Sequence, residues 1–404
     1  MPSETHDRAA AALPAVCLLL AAVQLALAAA PSQSNLFTAG DADRKLYRIP
    51  GIVVTHRGTI LAYAEGRRNT GGDWDTIDIV LRRSTDDGAT FSPLRVIGQV
   101  PGTITRNPVA IERSQGKPTD VTYNNPVAIA DRNGAVHFLF CVEYMRVFYM
   151  RSDDDGETFT TPLEITQALE PLRAVYPWRI VATGPGHGIQ LKNGRLLVPI
   201  WLALGTRGNG HGPSSTSTIY SDDHGKTWHG GEIAIPDTPD VPSPNETAAV
   251  QLTDGRVMLN ARVASPHNRR VVVTSRDGAT QWTVPAFQEN LPDPICAAGF
   301  LSMIPKRNSK SVLLFSNPDN LTRADGKNEN GKDRKNVTIR VSYDQGVTWL
   351  VKRSIEPDRS GYSDLAALPN GTILCFYESA GKYLTLARFN LKWVTDEEDP
   401  TQEK

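Results

Sequence analysis

The sequence predicts an all-β fold, a six-bladed β-propeller, from two periodicities that run along the chain independently. The first is an octapeptide. Residues 84–91 (STDDGATF), 152–159 (SDDDGETF), 221–228 (SDDHGKTW) and 342–349 (SYDQGVTW) share the order Ser, any, Asp, any, Gly, any, Thr, aromatic, and residues 275–282 (SRDGATQW) are an altered copy. The second is a turn dipeptide set between two short β-rich runs. Helical periodicity is nearly absent, so the chain reads as one domain of strands.

The octapeptide has the physics of a self-contained turn, in which a short Asp accepts hydrogen bonds from nearby backbone N–H groups and Gly takes a positive φ without steric cost. Its aromatic pins the turn to the body. A turn that needs Asp and Gly accounts for every fixed position, so the box is structural. Starts at 84, 152, 221, 275 and 342 are spaced too widely for solenoid repeats and suit propeller blades with insertions.

The hairpins follow in chain order. GIVV precedes Arg57-Gly58 and TILAYAE; PVAIA precedes Asn133-Gly134 and AVHFLF; GIQL precedes Asn193-Gly194 and RLLVPIW. AAVQL precedes Asp254-Gly255 and RVMLNAR, FLSMI the weaker Asn308-Ser309 and SVLLF, and LAAL precedes Asn370-Gly371 and TILCFYE. Each unit is thus a hairpin, a third strand ending in the box, and a fourth strand. Six units with five boxes imply a last blade completed by the other terminus.

The propeller is expected over residues 35–394, with an acidic tail at 395–404. The first 30 residues stand apart. Arg8 precedes an Ala/Leu run that ends in ALAAA before Pro31, which reads as a signal peptide cleaved near Ala28 to Ala30 and implies export. The alternative is an uncleaved anchor, because the run is long enough to span a bilayer. Lys and Arg number 43 against 44 Asp and Glu, so charge argues against nucleic acid as a partner. Beyond Cys17 in that run, Cys141, Cys296 and Cys375 read as buried thiols with no disulfide framework. His187 in GPGHGIQL and His211 in GNGHGPSS lack partners at metal-ligand spacing and read as loop or backbone contacts. No metal, no cofactor and no obligatory protein partner is predicted.

Chemistry emerges when polar residues are laid on the blade template. The innermost strands of a propeller line its axis, so residues at their starts gather at one mouth of the channel. Counting back from the turn glycines, Glu246, Tyr362 and Asn125 each lie nine residues before, and Arg48 ten. Along the outgoing second strands, Arg67 and Arg262 return to the same mouth. The loop TGGDWDTID hangs over it with Asp73, Asp75 and Asp78. Arg340 stands two residues before the last box, where other blades have Arg82, Met150, Ile219 and Val273. One exposed arginine is usually a weak surface ion pair. Several facing one concavity repel each other unless an anion binds, and guanidinium forks match a carboxylate.

Arg48 in YRIP, Asp73 in GGDWD, Glu246 in NETAAV, Arg262 in LNAR, Arg340 in TIRVSYDQGVTW and Tyr362 in SGYSDLAAL, together with the boxes, resemble the exo-α-sialidases (neuraminidases) of the bacterial and lysosomal type. The resemblance spans roughly residues 46–393 and keeps the order of all elements. It implies a retaining hydrolase of terminal sialic acids on oligosaccharides, glycoproteins or glycolipids. By similarity Arg48, Arg262 and Arg340 would clamp the substrate carboxylate, and Arg67 would contact the hydroxyl side of the ring. Tyr362 would be the nucleophile, Glu246 its general base and Asp73 the acid/base. The same site could serve transfer to an acceptor glycan, or binding without turnover. Retention of Asp73, Glu246 and Tyr362 together speaks against binding alone.

These residue types make chemical sense. The anomeric carbon of a sialic acid bears a carboxylate, so a neutral phenol avoids the repulsion that a carboxylate nucleophile would meet. A phenol with pKa about 10 stays protonated at neutral pH, so Glu246 must take its proton, helped by arginines that favour phenolate. Asp73 must hold a proton to assist the leaving group, which asks for a raised pKa. Asp75 or Asp78 could take its place. Asn125 stands where many relatives have Asp, so recognition on the amine or glycerol side is expected to differ. Tyr144, Phe148, Trp178 and Trp201 are candidates by position for an N-acetyl pocket.

Sequons occur at Asn245, Asn320, Asn336 and Asn370. A glycan on Asn245 would block the site, which points to a bacterial source or an unmodified Asn245. The polar, glycine-punctuated segments 322–336 and 205–217 are expected as loops able to rim the site.

Overall fold

In the computed structural model, residues 30–305, 310–327 and 329–395 are described. The 1–30 leader, except Ala30, the tail beyond Thr395 and the Asn308-Ser309 turn lie outside them. No helix among the described residues is long and apolar enough to cross a membrane.

The chain forms five sheets taken in sequence order. The first joins Leu46–Val54, Ile60–Arg67, Ile77–Ser84 and Arg95–Ile97; the second Tyr123–Ala130, Val136–Val142, Arg146–Ser152 and Leu163–Glu164. The third is built on Ile180–Thr183, Leu196–Arg207, Gly212–Ser221 and His229–Gly230, and the fourth on Thr247–Gln251, Val257–Ala261, Arg269–Ser275 and Ala286–Pro292. The last has seven strands, of which Val351–Ala367 is shared by two consecutive meanders. Its outer edge is Ser32–Thr38, paired antiparallel with Tyr383–Phe389, so the other end of the chain does complete the final meander.

Alternating apolar side chains face both ways from these sheets, and each core lies between neighbours. Leu61, Tyr63 and Ile79 pack against Phe138 and Phe140; Leu139 and Val147 pack against Val198 and Ile200; Leu197 packs against Val257 and Leu259. Val250 and Met258 meet Phe300 and Phe315. Ile52 and Ile60 then meet Leu374 and Leu386 of the last sheet, closing a ring. Such burial, at roughly 25 cal/mol per Å² of apolar surface, is what holds the sheets face to face.

The turn dipeptides and boxes fold as the residues dictate. Gly58, Gly134, Gly194, Gly255 and Gly371 all have φ between +88° and +100°, a region closed to most side chains. In the box at 221, Ser221 Oγ donates to Asp223 and accepts from Gly225 N–H, while Thr227 N–H and Oγ1 donate to the same carboxylate, all within 2.7–2.9 Å. In the altered copy Gly278 follows Asp277 directly, yet Gly278 N–H still reaches Ser275 Oγ at 3.1 Å and Thr280 N–H reaches Asp277 at 2.9 Å.

The third unit departs from expectation. GIQL supplies just Ile189–Gln190, and most of the inner strand is Ile180–Thr183. Between them Gly184, Pro185 and Gly186 break the ladder, since Pro has no N–H to give it. Gly186–His187 crosses instead to pair in parallel with Val127 and Ala128 of the second sheet.

Candidate active site

Register fixes where the mouth is. Box serines pair with the first residues of second strands, as in Ile60↔Ser84 and Val136↔Ser152. Arg48 pairs instead with Glu65, near the far end of that second strand. Three inner strands are bulged there, between Arg48 and Gly51, Asn124 and Val127, and Ser360 and Ser363. A bulge re-aims the side chains beside it. It turns Arg48, Asn125 and Tyr362 toward a common pocket of about 170 Å³, also lined by Asp73, Glu246 and Arg262.

Tyr362 is the centre of this pocket. Its hydroxyl donates to Glu246 Oε1 at 2.5 Å and accepts from Arg262 Nη1 at 2.8 Å. Arg262 also bonds Glu246 Oε2. Above and beside the ring lie two further guanidinium carbons, Arg48 at 4.9 Å and Arg334 at 5.1 Å from its centroid. Burial and the Glu246 charge push the phenol well above its ordinary pKa, outweighing the three arginines. The expectation that the arginines favour phenolate is therefore met in sign but not in outcome, and the phenol needs the glutamate to lose its proton. Glu378 holds this wall in place: Oε1 takes Arg48 Nε at 3.0 Å, and Oε2 takes Tyr362 N–H at 3.2 Å.

Asp73 lies on the loop between the second and third strands. It accepts from Arg67 Nη1 at 2.8 Å and Asn209 Nδ2 at 3.1 Å, with Arg48 3.8 Å and His211 4.0 Å away. Burial pushes this carboxyl up, but Arg67, His211 and Arg48 outweigh it and hold it far below the usual range. The other two aspartates have different work. Asp75 Oδ2 gathers the N–H groups of Asn69, Thr70 and Gly71 and so shapes the loop, and Asp78 pairs with Arg44 and Arg68.

Three of the expected site residues need correction or refinement. Arg340 is not in the pocket. It is buried in the strand Lys335–Ser342, donates to Asn317 Oδ1 at 3.0 Å and pairs with Asp319 at 2.8 Å, while Lys352 takes the other oxygen of Asp319. A side chain in the middle of a third strand points between sheets, away from the mouth. Arg334, immediately before the strand begins, occupies the place expected of Arg340. Arg67 is buried behind Asp73, its guanidinium shared between Asp73 and Glu65. It positions the loop and does not line the pocket. Asn125 does line it, at φ +52°, with its N–H on Glu65 Oε1 at 2.8 Å.

Sequence reasoning missed Arg334, Glu378, Asn209 and His211. Asn209 and His211 come from the 205–217 segment, which does rim the site, and Trp74 Nε1–H ties the two loops together through Asn209 O at 2.7 Å. His211 packs against Trp74, Tyr144 and Trp201 with centroids 4.6–5.6 Å away. Tyr144 and Trp201 thus line the pocket as expected by position, whereas Phe148 and Trp178 belong to the cores between sheets. Asn245 also lines the pocket, its Oδ1 held by Glu246 N–H at 2.8 Å.

At one end of the box-bearing sheets, Arg48, Arg262 and Arg334 thus stand with Asp73 and Glu246 around Tyr362. Residues 106–375 match the BNR repeat-like domain family, and the chain belongs to that family. The resemblance to sialidases read from its residues is borne out by its relatives. It is similar to the sialidase of Bacteroides fragilis, 29% identical over 385 residues that cover 88% of this chain and 64% of that protein. Against the sialidase of Micromonospora viridifaciens it is 31% identical over 378 residues, covering 86% and 52%. The chain thus spans less than two thirds of the length of either relative. The solved structure of the Hadza microbial sialidase Hz136 superposes with a TM-score of 0.72 at 28% identity, covering 90% of this chain and 69% of that one.

Proposed function

We propose that this chain is an exported exo-α-sialidase acting on sialylated oligosaccharides, glycoproteins or glycolipids, with the seven-stranded sheet counted as two blades of a six-bladed propeller. The observation that carries the reading is Tyr362, whose hydroxyl lies between Glu246 and Arg262 under the guanidinium groups of Arg48 and Arg334. Those three arginines suit the carboxylate of a sialic acid, each as a charge-assisted hydrogen-bond donor.

The reaction then runs in two displacements. Tyr362 Oη attacks the anomeric carbon as Glu246 takes its proton, and Asp73 gives a proton to the departing glycosidic oxygen. Water, deprotonated by Asp73, next attacks the tyrosyl-linked sugar, and the phenol recovers its proton from Glu246 with net retention. Asp73 is anionic in the free protein, so it must be protonated on binding. The substrate carboxylate offsets the field of Arg48, one of the cations that hold the Asp73 carboxyl low.

A fluorogenic α-sialoside tests the proposal. Wild type should release the fluorophore, and Tyr362→Phe should reduce kcat by about 10²–10⁴-fold while still binding free sialic acid. Absence of release by wild type leaves a sialoglycan-binding propeller. Export is tested by sequencing the N-terminus of the mature protein, expected to begin near Pro31.

A further inference from the structure

Alongside the catalytic pocket, and sharing Arg48 and Arg334 with it, lies a larger cleft of about 800 Å³. Its rim carries Lys335, Arg359 and Lys382, all exposed. None of these three makes an ion pair with a carboxylate among the described residues. Lys335 and Arg359 are register partners on adjacent strands. Like charges directly opposite each other across a sheet are destabilising. The Arg359 guanidinium also lies against the turn at Gly381, where an added Cβ would come within 2.8 Å of Arg359 Cζ, next to Lys382. The carboxylates in the wall are engaged elsewhere: Glu378 holds Arg48, and Asp333 Oδ2 accepts from Ala324 N–H at 2.7 Å. In a chain of net charge −1, this is a local excess of positive charge that an anion would relieve.

Position says where that anion is carried. Arg48 Nη1 is 3.8 Å from Asp73, and Gly71 of the Asp73 loop walls the cleft. The cleft therefore opens where the leaving group departs. Resting on the sialidase reading above, we propose that it is a subsite for an anionic group, a carboxylate or a sulfate, on the sugar next to the one released. The enzyme then prefers glycans whose penultimate sugar is charged.

The test compares sialyllactose, disialyllactose and sulfated sialyllactose on the full chain, as wild type and as the Arg359→Ala/Lys382→Ala double variant. Wild type should cleave at least one charged substrate with kcat/KM about tenfold above sialyllactose, equivalent to about 1.4 kcal/mol. The double variant should bring that ratio near one while leaving sialyllactose unchanged, and about 1 M salt should do the same to wild type, because the screening length falls to ~3 Å. Preference for disialyllactose alone assigns the subsite to a carboxylate, and for the sulfated glycan alone to a sulfate. Equal rates on all three in wild type, or a preference that survives in the double variant, overturn the subsite. If nothing is cleaved, the sialidase reading fails. The subsite is then decided by calorimetric binding of the same three glycans to both proteins, and equal affinities overturn it.

Discussion

The strands of this protein end in two regions built on different plans. At the box end, the side-chain hydrogen bonds among the fixed Ser, Asp, Gly and Thr of the motif at 221 close within four residues, from Ser221 to Gly225 and from Asp223 to Thr227. At the mouth, the bonds span the chain: 116 residues from Tyr362 to Glu246, 136 from Asn209 to Asp73 and 330 from Arg48 to Glu378. A turn that satisfies itself must carry its own Ser, Asp, Gly and Thr, so it recurs as a visible octapeptide. A pocket assembled by the ring needs each strand to contribute something different, so its residues do not repeat. Local closure serves the frame, and long-range closure serves the chemistry.

The largest test of that division is Asp73→Asn. Its carboxylate bonds residues from three separate stretches yet supports no core, so the effect should fall on catalysis. A sugar leaving group departs as a strongly basic alkoxide and needs the proton; an aryl leaving group does not. Turnover of sialyllactose should fall by about 10²–10⁴-fold and that of the fluorogenic aryl substrate by about tenfold or less, both measured on the folded protein. Equal losses on both substrates would remove Asp73 from the proton-donor role.

Next in size is the pair Arg334 and Arg340, six residues apart and assigned to opposite plans. Arg334→Ala should lower kcat/KM about 30–100-fold, in line with loss of a charge-assisted contact of ~2–3 kcal/mol, at unchanged stability. Arg340→Ala should leave the kinetics of the folded protein intact and destabilise it by about 3 kcal/mol, the lower end for breaking a buried pair, because Lys352 remains on Asp319. Read out by steady-state kinetics and denaturant melts, the two variants should separate cleanly. A kinetic defect in Arg340→Ala would restore it to the site.

That pair also marks how far the sequence could be read. The turn glycines, the boxes and the inner-strand positions of Arg48, Asn125, Glu246 and Tyr362 were legible because each is fixed by backbone periodicity. Arg340 enters the expected clamp by similarity alone, through the segment TIRVSYDQGVTW, and its place in mid-strand turns it away from the pocket that Arg334 lines. Glu246 precedes its strand and Arg262 follows its own, so some mouth residues stand just outside strand ends, and Arg334 does the same before Lys335–Ser342. His211 and Asn209 left no such signal. They reach the pocket through a hairpin whose length is set by no repeat, and a lone histidine between glycines looks like any loop residue. The bulges that aim Arg48 and Asn125 are likewise invisible, since the left-handed positions in them are not glycines: Ile49 takes φ +59° and Asn125 +52°.

The smallest effect probes an exception to the division. His187 Nδ1 is 2.7 Å from Asp364 Oδ1, a contact across 177 residues, and Asp364 Oδ2 takes Ile52 N–H at 2.9 Å, yet neither side chain lines the pocket. This long-range bond belongs to the frame, joining three sheets at the axis. Burial alone would lower the histidine pKa, but the Asp364 carboxylate outweighs it and the folded value lies above the ordinary one. A raised folded pKa means that the stabilisation is complete below the unfolded value, about 6.5, and is lost as pH rises through the folded value. Melting temperatures should therefore fall more steeply above pH 6.5 in wild type than in His187→Gln, which keeps a hydrogen-bonding side chain without the titration. The gap between the two proteins should be greatest at acid pH and close toward alkaline pH, while kcat of the variant on the aryl substrate stays within about twofold of wild type, since a substitution away from the reacting groups has little to act on. Parallel melting curves would show that this pair carries no proton-linked stability, and a matching loss of kcat would place it with the mouth after all.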